Sequence, residues 1–168
     1  MPYDVRTIAN VALDRADELG IGVTNLSINK ILYFVHGTFL AHFSTPLIRE
    51  SVEAWEFGPV YREIYRQFRN FEKTAIRGRA KRLDLASGCM VTFDHRPSPE
   101  EYSSMRPVLD FYLRIPAWKL VELSHEPGSP WDQVWNHLSL SNPGMIIPDK
   151  LIESHFRQAL AAYGGGLG

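Results

Sequence analysis

The residues best able to do chemistry in this chain lie together on one predicted helix. Asn29, Tyr33 and His36 are spaced i, i+4 and i+7, so they line one edge of that helix, and Lys30 lies beside them. A lysine, a tyrosine and a histidine on one edge could form a general acid/base site. If His125 of a later segment packs against the same edge, these residues would form a catalytic site or a recognition groove.

A structural role would explain the same residues. Lys30 would extend to the surface or pair with Glu53 or Glu56 of the neighbouring strand, while Tyr33 and His36 would satisfy buried backbone groups. Buried charges are usually paired. We therefore favour the structural interpretation over the catalytic one.

Other signatures of catalysis are missing from the sequence. The histidines follow neither a His-Glu-x-x-His pattern nor another metal-ligand spacing, and no phosphate-binding Gly-x-x-x-x-Gly-Lys loop or Gly-x-Ser-x-Gly elbow occurs. Cys89 is the single cysteine, which excludes an internal disulfide and is more typical of a small buried hydrophobic residue than of a nucleophile. The sequence thus predicts a protein without catalytic residues, metal or cofactor.

Two helices are predicted at the start of the chain. One begins after Asp4 and ends at a left-handed cap on Gly20, and the next is capped by Thr24 and continues to about Phe43. The stretch 31–35 of the second helix is apolar on every side, so this helix is expected at the centre of the fold.

A short strand joined closely to a helix is predicted next. Val52 to Phe57 has the pattern of a strand, Gly58 permits a turn, and Pro59 is suited to the first position of a helix. That helix would bury a stripe that contains Val60, Tyr61, Ile64, Tyr65 and Phe68. Trp55 is expected in the packed core, where truncation to alanine would cost roughly 3 to 5 kcal/mol.

The remaining segments predict a mainly helical α+β fold with a small β-sheet or hairpin. Residues 89–93 suggest a second strand beside the first, and helices are predicted from Ser98, Pro116, Ser129 and Pro148. The helix after Ser129 would carry Trp131, Val134, Trp135 and Leu138, and the last helix Ile152, Phe156, Ala159 and Tyr163. We expect one compact domain over 1–163 and a flexible glycine-rich tail over 164–168.

Three sequence blocks, in this order, resemble the Panacea antitoxin domain family, which includes SocA-like antitoxins and phage-associated GepA-like proteins. The blocks are Asn29-Lys30-Ile31-Leu32-Tyr33-Phe34 with His36, then Trp55-Glu56-Phe57-Gly58-Pro59-Val60-Tyr61, then Ser124-His125 with Pro130-Trp131. The resemblance spans roughly residues 5 to 160. It implies a non-catalytic antitoxin that neutralises a toxin encoded by the adjacent gene, and the motif residues would be structural or line a groove.

A run of basic residues is the strongest candidate for the partner-binding surface. Arg62, Arg66, Arg69 and Lys73 repeat at i, i+4, i+7 and i+11, so they would project from one side of a helix that continues past Phe71. Such a stripe is either a solvated face or the surface that docks the toxin. Binding to operator DNA is a weaker alternative, because the net charge of the chain is only -1.

Two other functions remain open from the sequence. The protein could act as a DNA-binding regulator of its own operon, or as an adaptor that presents the toxin to a protease.

The sequence has no signal-peptide pattern and no apolar run long enough to cross a membrane, so a cytoplasmic location without membrane contact is expected.

Overall fold

The second helix, α2 (Asn25–Phe43), is the centre of the fold. The computed structural model describes residues 1–137 and 143–164, so predictions for Leu138 and for the tail from 165 onward concern residues outside this range. Ile28, Leu32 and Val35 of α2 are fully buried, and the helix contacts most of the other elements. The predicted central helix is thus confirmed, as is its cap, because Thr24 forms a capping box.

The other elements surround this helix and together form a mainly helical α+β domain, as predicted. The helices are α1 (Val5–Leu19), α3 (Arg62–Phe68), α4 (Pro99–Leu113), α5 (Ala117–Ser124), α6 (Pro130–Asp132) and α7 (Asp149–Gly164). The strands are β1 (Val52–Trp55), β2 (Gly58–Val60), β3 (Lys81–Asp84), β4 (Cys89–Thr92) and β5 (Ile146–Ile147). Helix α6 continues into a π-helical turn over Gln133–His137.

The caps of α1 and α4 are those that the sequence predicts. The Asp4 side chain accepts a hydrogen bond from the Arg6 amide at the start of α1, and Gly20 ends this helix with a φ of 69°. Ser98 and Glu101 form the capping box of α4. Local side-chain chemistry therefore sets these helix boundaries.

Strands β2, β1 and β5 form an antiparallel sheet in that order. In this sheet the predicted start of the third helix at Pro59 is wrong. Pro59 lies inside β2 opposite Ala54, and the following helix begins only at Arg62. In a hairpin with a two-residue turn, this pair is not hydrogen-bonded across the strands, so the missing N–H of the proline costs no ladder bond. An edge strand accepts a proline here as readily as a first helical turn does.

Strands β3 and β4 form a separate hairpin. The predicted strand near Cys89 is present, but it does not pair with β1. Asn10 of α1 holds the base of this hairpin, since its Nδ2 donates to the carbonyls of Ala80 (3.1 Å) and Phe93 (3.0 Å). Its Oδ1 accepts from the Ala80 amide at 2.7 Å.

Helix α7 packs closely on the centre of α2. The ring of Phe156 lies 2.5 to 2.7 Å from the position that a Cβ would take on Gly37. Only glycine therefore allows α7 this close approach at position 37. Ile152 and Phe156 are buried as predicted, Ala159 is half-buried, and the side chain of Tyr163 lies outside the described part of the structure.

Candidate functional site

Two polar side chains of α2 hold the outer edge of β2. Asn29 accepts a hydrogen bond from the Tyr61 amide through Oδ1 (2.9 Å), and Lys30 donates from Nζ to the Pro59 carbonyl (2.9 Å). The Nδ2 of Asn29 donates in turn to the carbonyl of Asn25. The first and second sequence blocks therefore meet through these contacts, which fix the strand that leads into α3.

Lys30 is fully buried and lacks a carboxylate partner among the described residues. The predicted pairing with Glu53 or Glu56 is wrong, since Glu53 instead forms a two-point ion pair with Arg62 at 2.7 and 3.0 Å. Burial lowers the pKa of the Lys30 ammonium from 10.5 to about 7. This amine therefore loses its charge readily, and it acts mainly as the donor that holds Pro59.

His36 satisfies a buried backbone group as expected, whereas the contacts of Tyr33 are with aromatic rings. Tyr33 is buried between the rings of Phe34 and Phe156, and burial raises the pKa of its hydroxyl. His36 accepts a hydrogen bond from the Ile48 amide at Nδ1 (3.2 Å), so its proton lies on Nε2, 3.0 Å from Oδ1 of Asp149. His36 thus joins α2 to the start of α7.

The hydrogen bonds of His125 go to the β1–β2 turn and to α5 rather than to Asn29, Tyr33 or His36. The Nε2 of His125 lies 3.2 Å from the Glu56 carbonyl, and its Nδ1 lies 2.7 Å from the Val121 carbonyl. The ring packs on Trp131 with centroids 3.8 Å apart. His125 therefore fastens the β1–β2 turn to α5.

Gly58 is the point at which these groups converge. Its φ is 108°, and a Cβ on this residue would lie 2.7 Å from Cε of Lys30, 2.7 Å from Oγ of Ser124 and 3.2 Å from Cε1 of His125. This close approach explains why glycine occupies the turn. A lysine, a serine and a histidine around one backbone position could in other surroundings form a nucleophilic site.

The buried position of this cluster argues against such chemistry. Lys30 and Ser124 are 0% and 1% exposed, so neither group meets solvent in this conformation. Ser124 donates to the Val121 carbonyl at 2.8 Å.

Within 1–137 and 143–164, no group of three or more histidine, cysteine, aspartate or glutamate side chains could hold a metal ion, and no helix is long and apolar enough to cross a membrane.

The accessible part of this region is a surface that we call the aromatic-arginine face. It consists of Trp55, Phe57, Arg62, Tyr65, Arg66 and Arg69. Trp55 and Tyr65 meet edge to face with centroids 4.9 Å apart, and the Arg62 guanidinium lies 5.7 Å from the Trp55 ring centroid. Phe57 is 63% exposed and Tyr65 is 40% exposed. The face combines aromatic area with positive charge.

A buried tryptophan supports this face from behind. Nε1 of Trp131 donates to the Trp55 carbonyl at 2.7 Å, and the Trp131 ring stacks on the partly exposed ring of Trp135. The late Pro-Trp block of the sequence thus fixes the backbone from which Trp55 projects. Trp55 itself is only half-buried, so its expected place in the packed core was wrong, and truncation should cost less than the core value.

The basic stripe is shorter than the sequence suggested. Helix α3 ends at Phe68, a 3-10 turn ends at Phe71, and Glu72 has a φ of 52°, so Lys73 cannot continue the helical face. Arg62 is held by Glu53, whereas Arg66 and Arg69 are exposed and have no ion-pair partner among the described residues. Only these two arginines remain as unpaired charges on the face.

Sequence reasoning missed the exposure of Tyr65 and the ion pair of Arg62. Tyr65 fits the helical stripe of buried residues, but the helix starts three residues later than predicted, and Tyr65 instead covers the edge of Trp55. Glu53 and Trp55 are two residues apart on β1, so their side chains lie on the same side of the strand. This spacing was the available signal that the side is polar as well as aromatic.

Comparison with known proteins identifies the family. The family model "Antitoxin SocA-like, Panacea domain" matches residues 28–132, a range that includes most of α2, the β1–β2 hairpin and α5. Antitoxin SocA of Caulobacter vibrioides (strain NA1000 / CB15N) is 37% identical over 158 residues, which cover 92% of this chain and 82% of that protein. No solved structure matches. The chain therefore belongs to the SocA-like antitoxin family that carries the Panacea domain.

Proposed function

We propose that this protein is an antitoxin that neutralises its cognate toxin by direct binding through the aromatic-arginine face. Family membership supports the antitoxin role, and the exposed aromatic and arginine side chains beside the β1–β2 turn carry the assignment of the surface. Tyrosine, tryptophan and arginine dominate the binding energy of protein interfaces. The toxin is the product of the adjacent gene.

The construction of this face suits it to binding a protein. Its backbone is held from behind by Lys30, Asn29 and Trp131, so the aromatic side chains project from a fixed base and lose little conformational freedom on binding. The unpaired charges of Arg66 and Arg69 would attract an acidic partner and raise the association rate.

Co-expression tests the proposed function. The adjacent gene should arrest growth when expressed alone, growth should recover when this protein is supplied, and the two proteins should co-purify. A harmless neighbouring gene, or toxicity that persists unchanged, would contradict the proposal. Recovery of growth without a stable complex, lost in a protease-deficient host, would indicate delivery of the toxin to a protease instead.

Reversal of the two unpaired charges tests the surface. The double variant Arg66→Glu, Arg69→Glu should weaken toxin binding about tenfold or more, mainly through slower association, and should reduce its salt dependence. Arg62 is left unchanged because its replacement would strip the buried Glu53 of its partner and destabilise the fold. Association rates at several salt concentrations provide the measurement.

A matched control separates a local effect from a change in total charge. The variant Arg106→Glu, Arg114→Glu makes the same change in net charge at exposed positions in and just after α4. Equal weakening by both variants would show that long-range charge alone steers the toxin. Unaltered toxin binding with loss of operator DNA binding would favour the role of a DNA-binding regulator.

A further inference from the structure

The apolar side chains of the β3–β4 hairpin point to solvent and not toward the rest of the protein. Leu83 and Met90 lie opposite each other and are 53% and 54% exposed, and Leu85 in the turn is 88% exposed. Arg82 and Asp84 point to the inner, half-buried side, where they form an ion pair at 3.7 Å. Such an exposed apolar row is typical of a contact surface.

The two edges of this hairpin differ. The Phe93 amide donates to the Ala80 carbonyl at 2.9 Å, so with the alternation of an antiparallel ladder the backbone groups of Lys81 and Leu83 point out of the β3 edge. The side chain of Gln67 covers this edge at Lys81, because it accepts from the Lys81 amide (3.0 Å) and donates to the Lys81 carbonyl (2.9 Å). Helix α3 therefore occupies the start of the β3 edge, whereas the outward groups of Leu83 have no protein partner among the described residues.

The β4 edge is open. By the same alternation, the N–H and C=O groups of Met90 and Thr92 point outward, and they have no protein partner among the described residues. The strand reads Cys-Met-Val-Thr, without the charged residue or proline that usually protects an edge from pairing. This edge can accept another strand.

We propose that the occupant of this edge is β4 of a second copy of the chain, paired antiparallel about a two-fold axis at Val91. Met90 then pairs with Thr92 of the partner subunit, and Thr92 with the partner's Met90, which gives about four backbone hydrogen bonds and satisfies every outward group of the strand. In this register Met90 of each copy lies diagonally across the axis from the partner's Met90, so the two Leu83–Met90 pairs adjoin on the same face of the four-stranded sheet.

Charge favours a second copy as the occupant. An uncharged strand meets its own copy without opposed like charges, and Lys81 lies on the outer strand of each hairpin. Three strand spacings, about 14 Å, separate Lys81 from the partner's Lys81. That separation exceeds the screening length of about 10 Å at 0.1 M salt. The β4 edge lies on the side of the hairpin away from α3, so pairing leaves the aromatic-arginine face free.

Cysteine trapping tests this register. In a Cys89→Ser background, Val91→Cys places the two thiols in a non-hydrogen-bonded pair across the axis, where the Cα separation of about 4.5 to 5.5 Å suits a disulfide. Mild oxidation should therefore convert this variant to a covalent dimer. Ser87→Cys in the same background is the control, since that exposed turn lies away from the axis and should crosslink at least about fivefold less.

A second variant blocks pairing at the β4 edge without disturbing the hydrogen bonds between β3 and β4. Thr92→Pro deletes one outward N–H that β3 does not use, whereas Thr92→Val keeps it. Sedimentation over a range of concentrations should show a dimer for the wild type and for Thr92→Val, and its loss for Thr92→Pro. A wild type that stays monomeric throughout, or equal crosslinking of the two cysteine variants, would overturn the proposal. A persistent dimer in a Thr92→Pro variant that melts like Thr92→Val would also overturn it.

Discussion

Gly58→Ala should destabilise the protein by about 2 to 6 kcal/mol, although it adds a single methyl group. Two costs combine at this position. The φ of 108° is unfavourable for any residue with a Cβ, at about 1 to 3 kcal/mol. The added carbon would also lie 2.7 Å from both Lys30 Cε and Ser124 Oγ, and relief of that overlap costs a further 1 to 3 kcal/mol or so. Denaturant unfolding measures the sum.

Gly88→Ala isolates the backbone part of this effect. Gly88 also has a positive φ, 70°, but nothing lies within 4 Å of the position of its Cβ. This variant should lose only about 1 kcal/mol. If the two variants lose the same stability, then the contacts of Lys30, Ser124 and His125 around the turn do not constrain the fold, and our account of the second sequence block is wrong.

The sequence predicted most reliably the features that depend on local chemistry. Thr24, Ser98 and Gly20 act as caps because each needs only neighbouring backbone groups to do so. The apolar surface of α2 likewise predicted a central helix. The positive φ of Gly58 follows from the same kind of local argument.

Features that depend on distant segments could not be predicted. Pro59 is equally suited to a first helical turn and to an edge strand, and in the strand its carbonyl accepts from Lys30, 29 residues earlier. The positions of His36 and His125 depend in the same way on Asp149 and Glu56. Spacing along one helix shows which residues share an edge, but not what packs against it.

The exposed face was predicted only in part. Arg66 and Arg69 have no ion-pair partner among the described residues, as the charge pattern suggested. However, the helical segment ends before Lys73, and Arg62 forms an ion pair with the Glu53 carboxylate. In the local sequence, only the shared side of Glu53 and Trp55 on β1 distinguishes Trp55 from a core residue. Its half-exposed position follows from Trp131 and Tyr65, which come from later elements.

Lys30→Met should stabilise the protein at pH 7 by about 2 kcal/mol and have almost no effect at pH 9. The folded chain lowers the pKa of this lysine to about 7 by burial, whereas unfolding restores the ordinary value of 10.5. Between these values the unfolded chain binds a proton that the folded chain lacks, so the free energy of unfolding rises with pH. The destabilisation from Lys30 is thus complete well below pH 7 and disappears above pH 10.5.

The size of the expected change follows from the same two pKa values. At about 1.4 kcal/mol per tenfold change in proton affinity, Lys30 costs about 4 kcal/mol at pH 7 and about 2 kcal/mol at pH 9. Methionine removes this cost but leaves the buried Pro59 carbonyl without its donor, a loss of about 2 kcal/mol that does not vary with pH. The two terms nearly cancel at pH 9 and leave a net gain at pH 7.

Urea unfolding of wild type and variant at several pH values between 7 and 9.5 measures this difference. Higher pH is avoided because burial raises the pKa of Tyr33 and Tyr61, and unfolding would then release protons and reverse the trend. Lys73→Met, which removes one lysine at an exposed position, is the matched control. If Lys30→Met shows the same slope as wild type, the lysine is charged in the folded state at pH 9. The Pro59 carbonyl and its surroundings would then stabilise the ammonium far better than one hydrogen bond in a buried site can explain.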